Sequence, residues 1–258
     1  MPQIQNNIRN QRGNQIFKDK LEQASSPQRL LEICSRWIYW NNAFGGAVAG
    51  LASTVSAATS MFGSSVRSSK IASQIFFAAR DEYGDAVAYG THVELAAATL
   101  VGLGRALLGQ YELSNPDLNT QKLMSEAIKG YRARGASSDE ELWKGLGFHL
   151  GSETLADQEF RIFSAFLKSR HPDAVRFMQS GKVTIDGAFY LPWYWISIHG
   201  GEHEQGGVEQ DHAQAAYSAI ELSHLHYTGS ATRAKCEQWI LDGFQEFRDH
   251  QTRRMQTL

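Results

Sequence analysis

Apolar positions recur along most of the chain three and four residues apart, and few stretches show the alternation that a half-buried strand requires. Only five prolines occur, which leaves long stretches free to run as helices. No internal repeat and no linker-like segment divides the sequence. The pattern therefore predicts an all-α protein, built as a single domain from a bundle of about seven helices.

Local signals mark several helix ends. Ser26 followed by Pro27 predicts a helix start, with the serine as N-cap and the proline in the first turn. Ser138 and Glu141 form a capping box before a long helical stretch, and Pro172 ends that stretch. These signals predict the start of the first core helix and both ends of the longest one.

Glycines predict breaks at two further places. A helix that begins near Ser69 is bent or interrupted near Gly84 or Gly90. The pair Asp186-Gly187 predicts a turn within a segment that is dense in aromatic residues.

The N-terminal segment differs in composition from the rest. Residues 1–24 are rich in Asn and Gln and carry no apolar stripe. They predict a polar N-terminal arm, followed by one all-α domain over residues 25–258.

The stretch from Trp37 to Val66 carries no charge over 30 residues, a length that would suffice to span a membrane. Small residues dominate it, however, and these insert weakly into lipid. Gly46 and Gly50 have the spacing that lets helix backbones approach closely. The stretch predicts a tightly packed helix of a soluble protein and no membrane span.

Charge and cysteine content narrow the partners and the compartment. The 258 residues include 25 Lys and Arg against 27 acids, a net charge of −2, so no basic surplus is present to bind nucleic acid. Two cysteines are too few for a disulfide framework, and the first residues contain no apolar signal core. We expect a cytoplasmic protein that binds no nucleic acid.

Histidine is the one biased residue type, because five of the nine lie between positions 199 and 226. Glu209 and His212 are three residues apart, which corresponds to about 300° of helical rotation, so they share one face of a helix. In helical bundles, a carboxylate and an imidazole with this spacing can bind the same metal ion. Taken alone, such a pair is more often found on a solvated helix face.

A second group lies at the predicted break. His92 has two acids at helical spacing before it, Glu82 and Asp85, and either could accompany it as a ligand. The alternative is that these acids and Asp81 cap or solvate the bend, while His92 is a hydrogen-bonded core residue.

Glu153 lies in an apolar, glycine-containing stretch of the longest helix, and a buried carboxylate needs a partner or a metal ion. His149, one turn earlier, is either a hydrogen-bond donor to it or a core histidine. Glu159 falls on another face of the helix, and we expect it to be exposed.

His199 and His203 precede the pair at 209 and 212, and the glycines around them leave open which of the two completes a site. His224 and His226 are two apart and predict surface and helix-end charge instead.

Together these helical segments place imidazole and carboxylate groups in apolar surroundings. Oxygen and nitrogen donors without thiolate suit iron or manganese better than structural zinc. Two irons held this way would activate dioxygen on a small organic substrate, with Phe76, Trp193 and Trp195 as candidates to line its cavity, although such aromatics are more often simply core residues.

The same stretches resemble the heme-oxygenase-like diiron oxidases, and among them the CADD-like proteins of the cyanobacterial branch, over about residues 30–250. Asp-Glu-Tyr-Gly at 81–84 with His92 is similar to the family's first ligand stretch. Gly-Ser-Glu at 151–153 is similar to the second, and Val-Glu-Gln-Asp-His-Ala at 208–213 to the end of the third.

The resemblance implies a seven-helix, heme-oxygenase-like bundle that holds two iron ions, or manganese, and no heme. Its implied metal ligands are Glu82, His92, Glu153, His199, Glu209 and His212, with His203 and Asp85 as alternatives. One position departs from the family's His-x3-Asp/Glu-x2-His run, since Gln205 stands where the first histidine is expected. An insertion would explain this, with His199 as that histidine.

The family implies dioxygen and an amine, amino acid or fatty acid as reactants, in a protein that could form a homodimer. Two rival hypotheses remain. One is a metal-independent oxidase of the pyrroloquinoline quinone synthase type, and the other is a CADD-like interaction protein without enzymatic activity.

Overall fold

The computed structural model of the chain describes residues 12–84, 90–200 and 208–258. Helices make up most of this part, and the single sheet found there is a two-stranded hairpin. The all-α prediction is therefore confirmed at the level of fold class.

The helices before the longest one are α1 (Gly13–Glu22), α2 (Pro27–Asn41), α3 (Phe44–Ala57), α4 (Thr59–Phe62), α5 (Ser65–Glu82), α6 (His92–Leu108) and α7 (Leu118–Gly130). The longest helix and the elements after it are α8 (Asp139–Arg170), α9 (Pro172–Ser180), β1 (Val183–Ile185), β2 (Ala188–Tyr190), α10 (Tyr194–His199), α11 (Val208–His226) and α12 (Arg233–Thr257).

Hydrogen-bonded caps start α2 and α8 at the predicted residues. The Ser26 hydroxyl accepts from the backbone N–H of Arg29, and the Ser138 hydroxyl accepts from that of Glu141. Each bond satisfies a donor that the first turn of a helix leaves without a partner. Both predicted helix starts are confirmed.

The predicted break between Ser69 and the end of α6 is also confirmed. Helix α5 ends at Glu82, and α6 begins at His92 behind a capping box of Thr91 and Glu94. Gly84 and Gly90 have φ angles of 86° and 84°, which residues with a Cβ rarely adopt.

Helix α1 corrects the predicted polar arm over residues 1–24, of which residues 12–24 are described. Residues 13–22 form a helix in which the apolar side chains of Phe17 and Leu21 are buried and that of Ile16 is partly buried. The ring of Phe17 stacks on Trp37 with 5.3 Å between centroids. Two apolar residues one turn apart suffice to dock a short helix, although they make no visible stripe in a polar sequence.

Helix α8 contributes side chains to two of the hydrophobic clusters that the described residues form. The first cluster takes Leu142 to Leu155 from α8 and packs them against α3, α5, α11 and α12. The second takes Phe160 to Leu167 from α8 and packs them against α1, α2, α6 and α10. The middle of α8 therefore lies where the two clusters meet, and Glu153 and Glu159 lie there.

Glycines bring α8 and α12 into close contact. A Cβ at Gly147 would lie 2.1 Å from the carbonyl oxygen of Ile240, and a Cβ at Gly243 would lie 2.0 Å from that of Lys144. Since carbon and oxygen cannot approach so closely, only glycine allows this helix separation.

The turn predicted at Asp186-Gly187 joins β1 to β2. Both residues have positive φ angles, 46° and 85°, as a two-residue hairpin loop requires. The strands pair antiparallel, with Val183 opposite Tyr190. Each strand has only three residues, which is too short for an alternation of apolar and polar positions to be recognised in the sequence.

The uncharged stretch from Trp37 to Val66 is divided among parts of four helices. Gly50 allows the predicted close approach, since a Cβ there would lie 2.5 Å from that of Ala133, whereas Gly46 has space around it. Among the described residues, no helix combines the length and apolar character needed to cross a membrane.

Candidate functional site

A small cavity of about 30 Å³ lies near the middle of α8, with room for about one water molecule. Four predicted ligands line it, from α5, α6, α8 and α10: Glu82, His92, Glu153 and His199. The rest of the lining consists of Asn41, Asn42, Ser152 and the aromatic residues Phe44, Phe160 and Trp195.

Glu82 and His92 meet because the end of α5 lies against the start of α6. Glu82 Oε1 lies 3.1 Å from His92 Nδ1. A Cβ on Gly84 would lie 2.7 Å from the carbonyl oxygen of Gly90, so the two ends approach each other only with glycine there. The break that the sequence predicts thus brings the last residue of α5 onto the first of α6.

His199 ends α10 and is enclosed by rings. It stacks on Phe160 with 4.4 Å between centroids, and its ring lies edge-on to that of His92 at 4.7 Å. Burial and the neighbouring His92 hold the pKa of His199 well below its ordinary value. His199 is therefore neutral at pH 7, the state in which imidazole binds a metal ion.

Glu153 is buried between two imidazoles. Its Oε1 lies 3.1 Å from Nδ1 of His149, one turn earlier on α8, and its Oε2 lies 3.4 Å from Nδ1 of His212 on α11. Burial opposes ionisation, but these contacts outweigh it and hold the pKa of Glu153 well below its usual range. The cavity wall therefore carries an ionised carboxylate in an apolar part of the bundle.

His212 also contacts a carboxylate that the sequence did not single out as a ligand. Its Nε2 lies 2.9 Å from Asp81 Oδ2, and its ring lies edge-on to Phe77 at 5.7 Å. Burial works against ionisation of Asp81, but the bond to His212 lowers its pKa. The alternative in which Asp81 caps or solvates the bend does not include this contact.

Asp85, His203 and the side chain of Glu209 lie outside the described residues. The choice between His199 and His203 therefore stays a prediction, although His199 lies at the cavity.

The expectation that Glu159 is exposed is wrong, because only 2% of its surface is accessible to solvent. It accepts hydrogen bonds from Trp37 Nε1 at 2.6 Å, Gln251 Nε2 at 2.5 Å and Arg254 Nη2 at 2.5 Å. It does not line the cavity and forms a separate buried network beside it.

The other candidates divide between the cavity and its surroundings. Trp195 lines the cavity, as predicted. Trp193 is buried in the second cluster, and Phe76 is 44% exposed on α5, so neither is in the lining. His224 packs on Trp143 with 4.7 Å between centroids, far from the described ligand candidates along α11.

The donor set fits iron or manganese in chemistry. His92, His199 and His212 supply imidazoles, while Asp81, Glu82 and Glu153 supply carboxylates. Within the described ranges, however, no three His, Cys, Asp or Glu side chains are grouped so as to hold one ion. Carboxylates and imidazoles contact each other directly at 2.9 to 3.4 Å. An ion about 2.1 Å from each donor would have to replace these contacts.

Comparison with known proteins gives no family for the chain: no protein-family model, no curated protein and no solved structure matches it.

Proposed function

We propose that this protein is a non-heme diiron oxidase or oxygenase with a heme-oxygenase-like bundle, acting with dioxygen on a small organic substrate. One observation carries the proposal. Ligand candidates from separate stretches of sequence, Glu82, His92, Glu153 and His199, line a single cavity, and His212 contacts one of them.

The candidates would form two halves of one site. Once metal contacts replace the direct contacts between carboxylates and imidazoles, Glu82, His92 and His199 would hold one ion, and Glu153 with His212 would hold the other together with Glu209. Two ferrous ions in these positions would supply the electrons that activate dioxygen. Carboxylates from facing helices with imidazoles from others are the usual way in which helical bundles hold such ions.

The remaining lining would control access and orientation. Phe44, Phe160 and Trp195 would limit the access of bulk water to the imidazoles and carboxylates, which strengthens the interactions of these groups with charge. The amide groups of Asn41 and Asn42 offer hydrogen bonds to a polar reactant at the same wall. A cavity of about 30 Å³ accommodates dioxygen, whereas an organic substrate would require side chains of the lining to move.

Metal analysis tests the proposal. Protein reconstituted anaerobically with ferrous iron and freed of excess should retain about two irons per chain, since each half supplies ligands for one ion. Glu153→Ala and His212→Ala should each lower that content, with His212→Ala expected to lose about one ion. Iron is counted by a colorimetric chelator assay and confirmed by elemental analysis.

His226→Ala is the matched control, because it removes an imidazole from the same helix at a position away from the cavity. Its iron content should equal that of the unaltered protein. Unchanged iron content in both site variants would contradict the proposal.

A metal-independent oxidase is the second candidate, favoured by the direct contacts between carboxylates and imidazoles. The contact between His212 and Asp81 is a hydrogen bond, which satisfies both groups without an ion. Oxygen uptake with a substrate by protein treated with chelator and shown to be free of metal would select this function over the first.

A further inference from the structure

His212 is held between two carboxylates that have different surroundings. Its Nδ1 faces Glu153 at 3.4 Å, and its Nε2 faces Asp81 at 2.9 Å. Glu153 lines the cavity, whereas Asp81 is not part of the lining. The two ring nitrogens therefore point to opposite sides of the site, one toward the cavity wall and one away from it.

The geometry points to Asp81 as the residue that positions His212, by accepting the Nε2–H bond and so directing Nδ1 toward Glu153 and the cavity. An imidazole has two nitrogens that can bind a metal ion, and the partner of the other nitrogen decides which one does. The inference rests on the proposed function, because Nδ1 is then the atom available to a metal ion.

Helix packing makes Asp81 suited to this role. Asp81 precedes Glu82 in the last turn of α5. This single turn therefore supplies both the Glu82 carboxylate of the cavity lining and the Asp81 carboxylate that contacts His212 on α11. Phe77, one turn earlier on α5, lies edge-on to the same ring. The His212 ring is thus restrained by a ring contact and by a hydrogen bond from one helix.

Asp81 acts on iron through His212, so its loss should weaken binding without abolishing it. Removing the carboxylate partner of a ligating histidine costs about 10-fold to 100-fold in metal affinity. Asp81→Ala should show a loss of this size in anaerobic ferrous titrations. Asp81→Asn should recover most of it, because the amide oxygen still accepts the Nε2–H bond.

Nuclear magnetic resonance of the metal-free protein tests the hydrogen bond directly. With histidine labelled in the ring by ¹⁵N, His212 should show a protonated Nε2 with a downfield, slowly exchanging proton. The signal is assigned by its absence in His212→Gln. It should move upfield or disappear in Asp81→Ala and remain in Asp81→Asn.

Asp211→Ala is the matched control, since it removes an exposed carboxylate one residue from His212. It should change neither the signal nor the iron affinity. A thermal melt of each variant shows that it is folded before binding is measured.

The outcomes separate the inference from the proposed function. An unprotonated Nε2 in the unaltered protein, or equal loss of affinity in the variants at 81 and 211, would overturn the role of Asp81 while iron binding remains. Failure of the unaltered protein to bind iron would overturn the proposed function and, with it, this role, whatever the resonance of His212 shows.

Discussion

Glu159 is a buried carboxylate whose partners come from two other helices. Trp37 on α2, with Gln251 and Arg254 on α12, all donate to it. The guanidinium of Arg254 also lies over the ring of Trp40, 3.5 Å from its centroid. Transferring two charges from water into a bundle is costly, and their attraction offsets that cost only when the hydrogen bonds are made.

Removing one partner of the buried ion pair between Glu159 and Arg254 should therefore destabilise the protein more than removing an exposed ion pair does. Arg254→Ala leaves the Glu159 carboxylate buried without its counterion, and we expect a loss of about 3 to 5 kcal/mol in the free energy of unfolding. Equilibrium unfolding in urea, followed by circular dichroism, measures it.

Arg233→Ala provides the control on the same helix, since Arg233 forms a solvent-exposed ion pair with Glu237. Its loss should cost at most about 1 kcal/mol. Similar losses for both variants would show that the buried pair contributes no more than a surface pair.

Single residues also show what the sequence could and could not predict about the site. Glu153 was found because a charge in an apolar stretch requires a partner. The expectation for Glu159 was wrong, although six residues do place it on another face, because α8 is packed on more than one side. Asp81 was missed because its contact with His212 depends on how α5 packs against α11, which no local pattern reveals.

At the scale of elements, the approach of α8 to α12 depends on glycine. The Cβ positions of Gly147 and Gly243 fall on carbonyl oxygens of the opposite helix, each helix contributing one such position. Helix α8 also carries Glu153, so the same contact positions the helix that forms one wall of the cavity.

Gly147→Ala should separate these helices and destabilise the fold. The added methyl group would lie 2.1 Å from the carbonyl oxygen of Ile240, which belongs to the backbone and cannot move alone. We therefore expect the free energy of unfolding in urea to fall by about 1 to 3 kcal/mol or more.

Gly46→Ala is the control. Apart from neighbouring atoms of α3, the atom nearest to its added Cβ would be the Tyr83 hydroxyl oxygen, at 3.9 Å. Helix propensity predicts that this control gains up to about 1 kcal/mol. A neutral Gly147→Ala would contradict the steric argument.

Elements were predictable where a local signal specifies them. Serine caps gave the starts of α2 and α8, and glycines gave the break before α6. Helix α1 was missed because Phe17 and Leu21 bury a face that only tertiary packing defines. The hairpin was missed because three residues are too few for a period of two to be recognised.

At the scale of the whole molecule, buried imidazoles oppose folding in acid. His250 is 2% exposed, and its Nε2 accepts a hydrogen bond from Trp40 Nε1 at 3.0 Å. Burial, together with Arg254 and Arg253, lowers the pKa of His250 to about 3. Burial likewise lowers the pKa of His199, so the folded protein resists protonation at both of these residues.

This difference sets the direction of the pH dependence. The unfolded chain protonates His250 near its ordinary pKa of 6.5, whereas the folded chain does so only near 3. As pH falls from 6.5 toward 3, the unfolded state therefore binds the additional proton, and the free energy of unfolding decreases. One proton corresponds to about 1.4 kcal/mol per pH unit, so the contribution of His250 is full above pH 6.5 and is lost in this window.

His250→Gln should make the acid dependence shallower, because glutamine does not titrate and its amide oxygen can still accept from Trp40. Urea unfolding of metal-free protein at about pH 7, 6 and 5 should show a decline smaller by roughly 1.5 to 2 kcal/mol over the full range than in the unaltered protein. His226→Gln, which removes an imidazole at the end of α11, controls for the loss of a histidine outside the core. If His250→Gln declines as steeply as the unaltered protein, the folded chain protonates His250 at about the same pH as the unfolded chain does. Trp40 Nε1 could then no longer donate to it at pH 5, and the buried contact between α2 and α12 would have to differ from the one described.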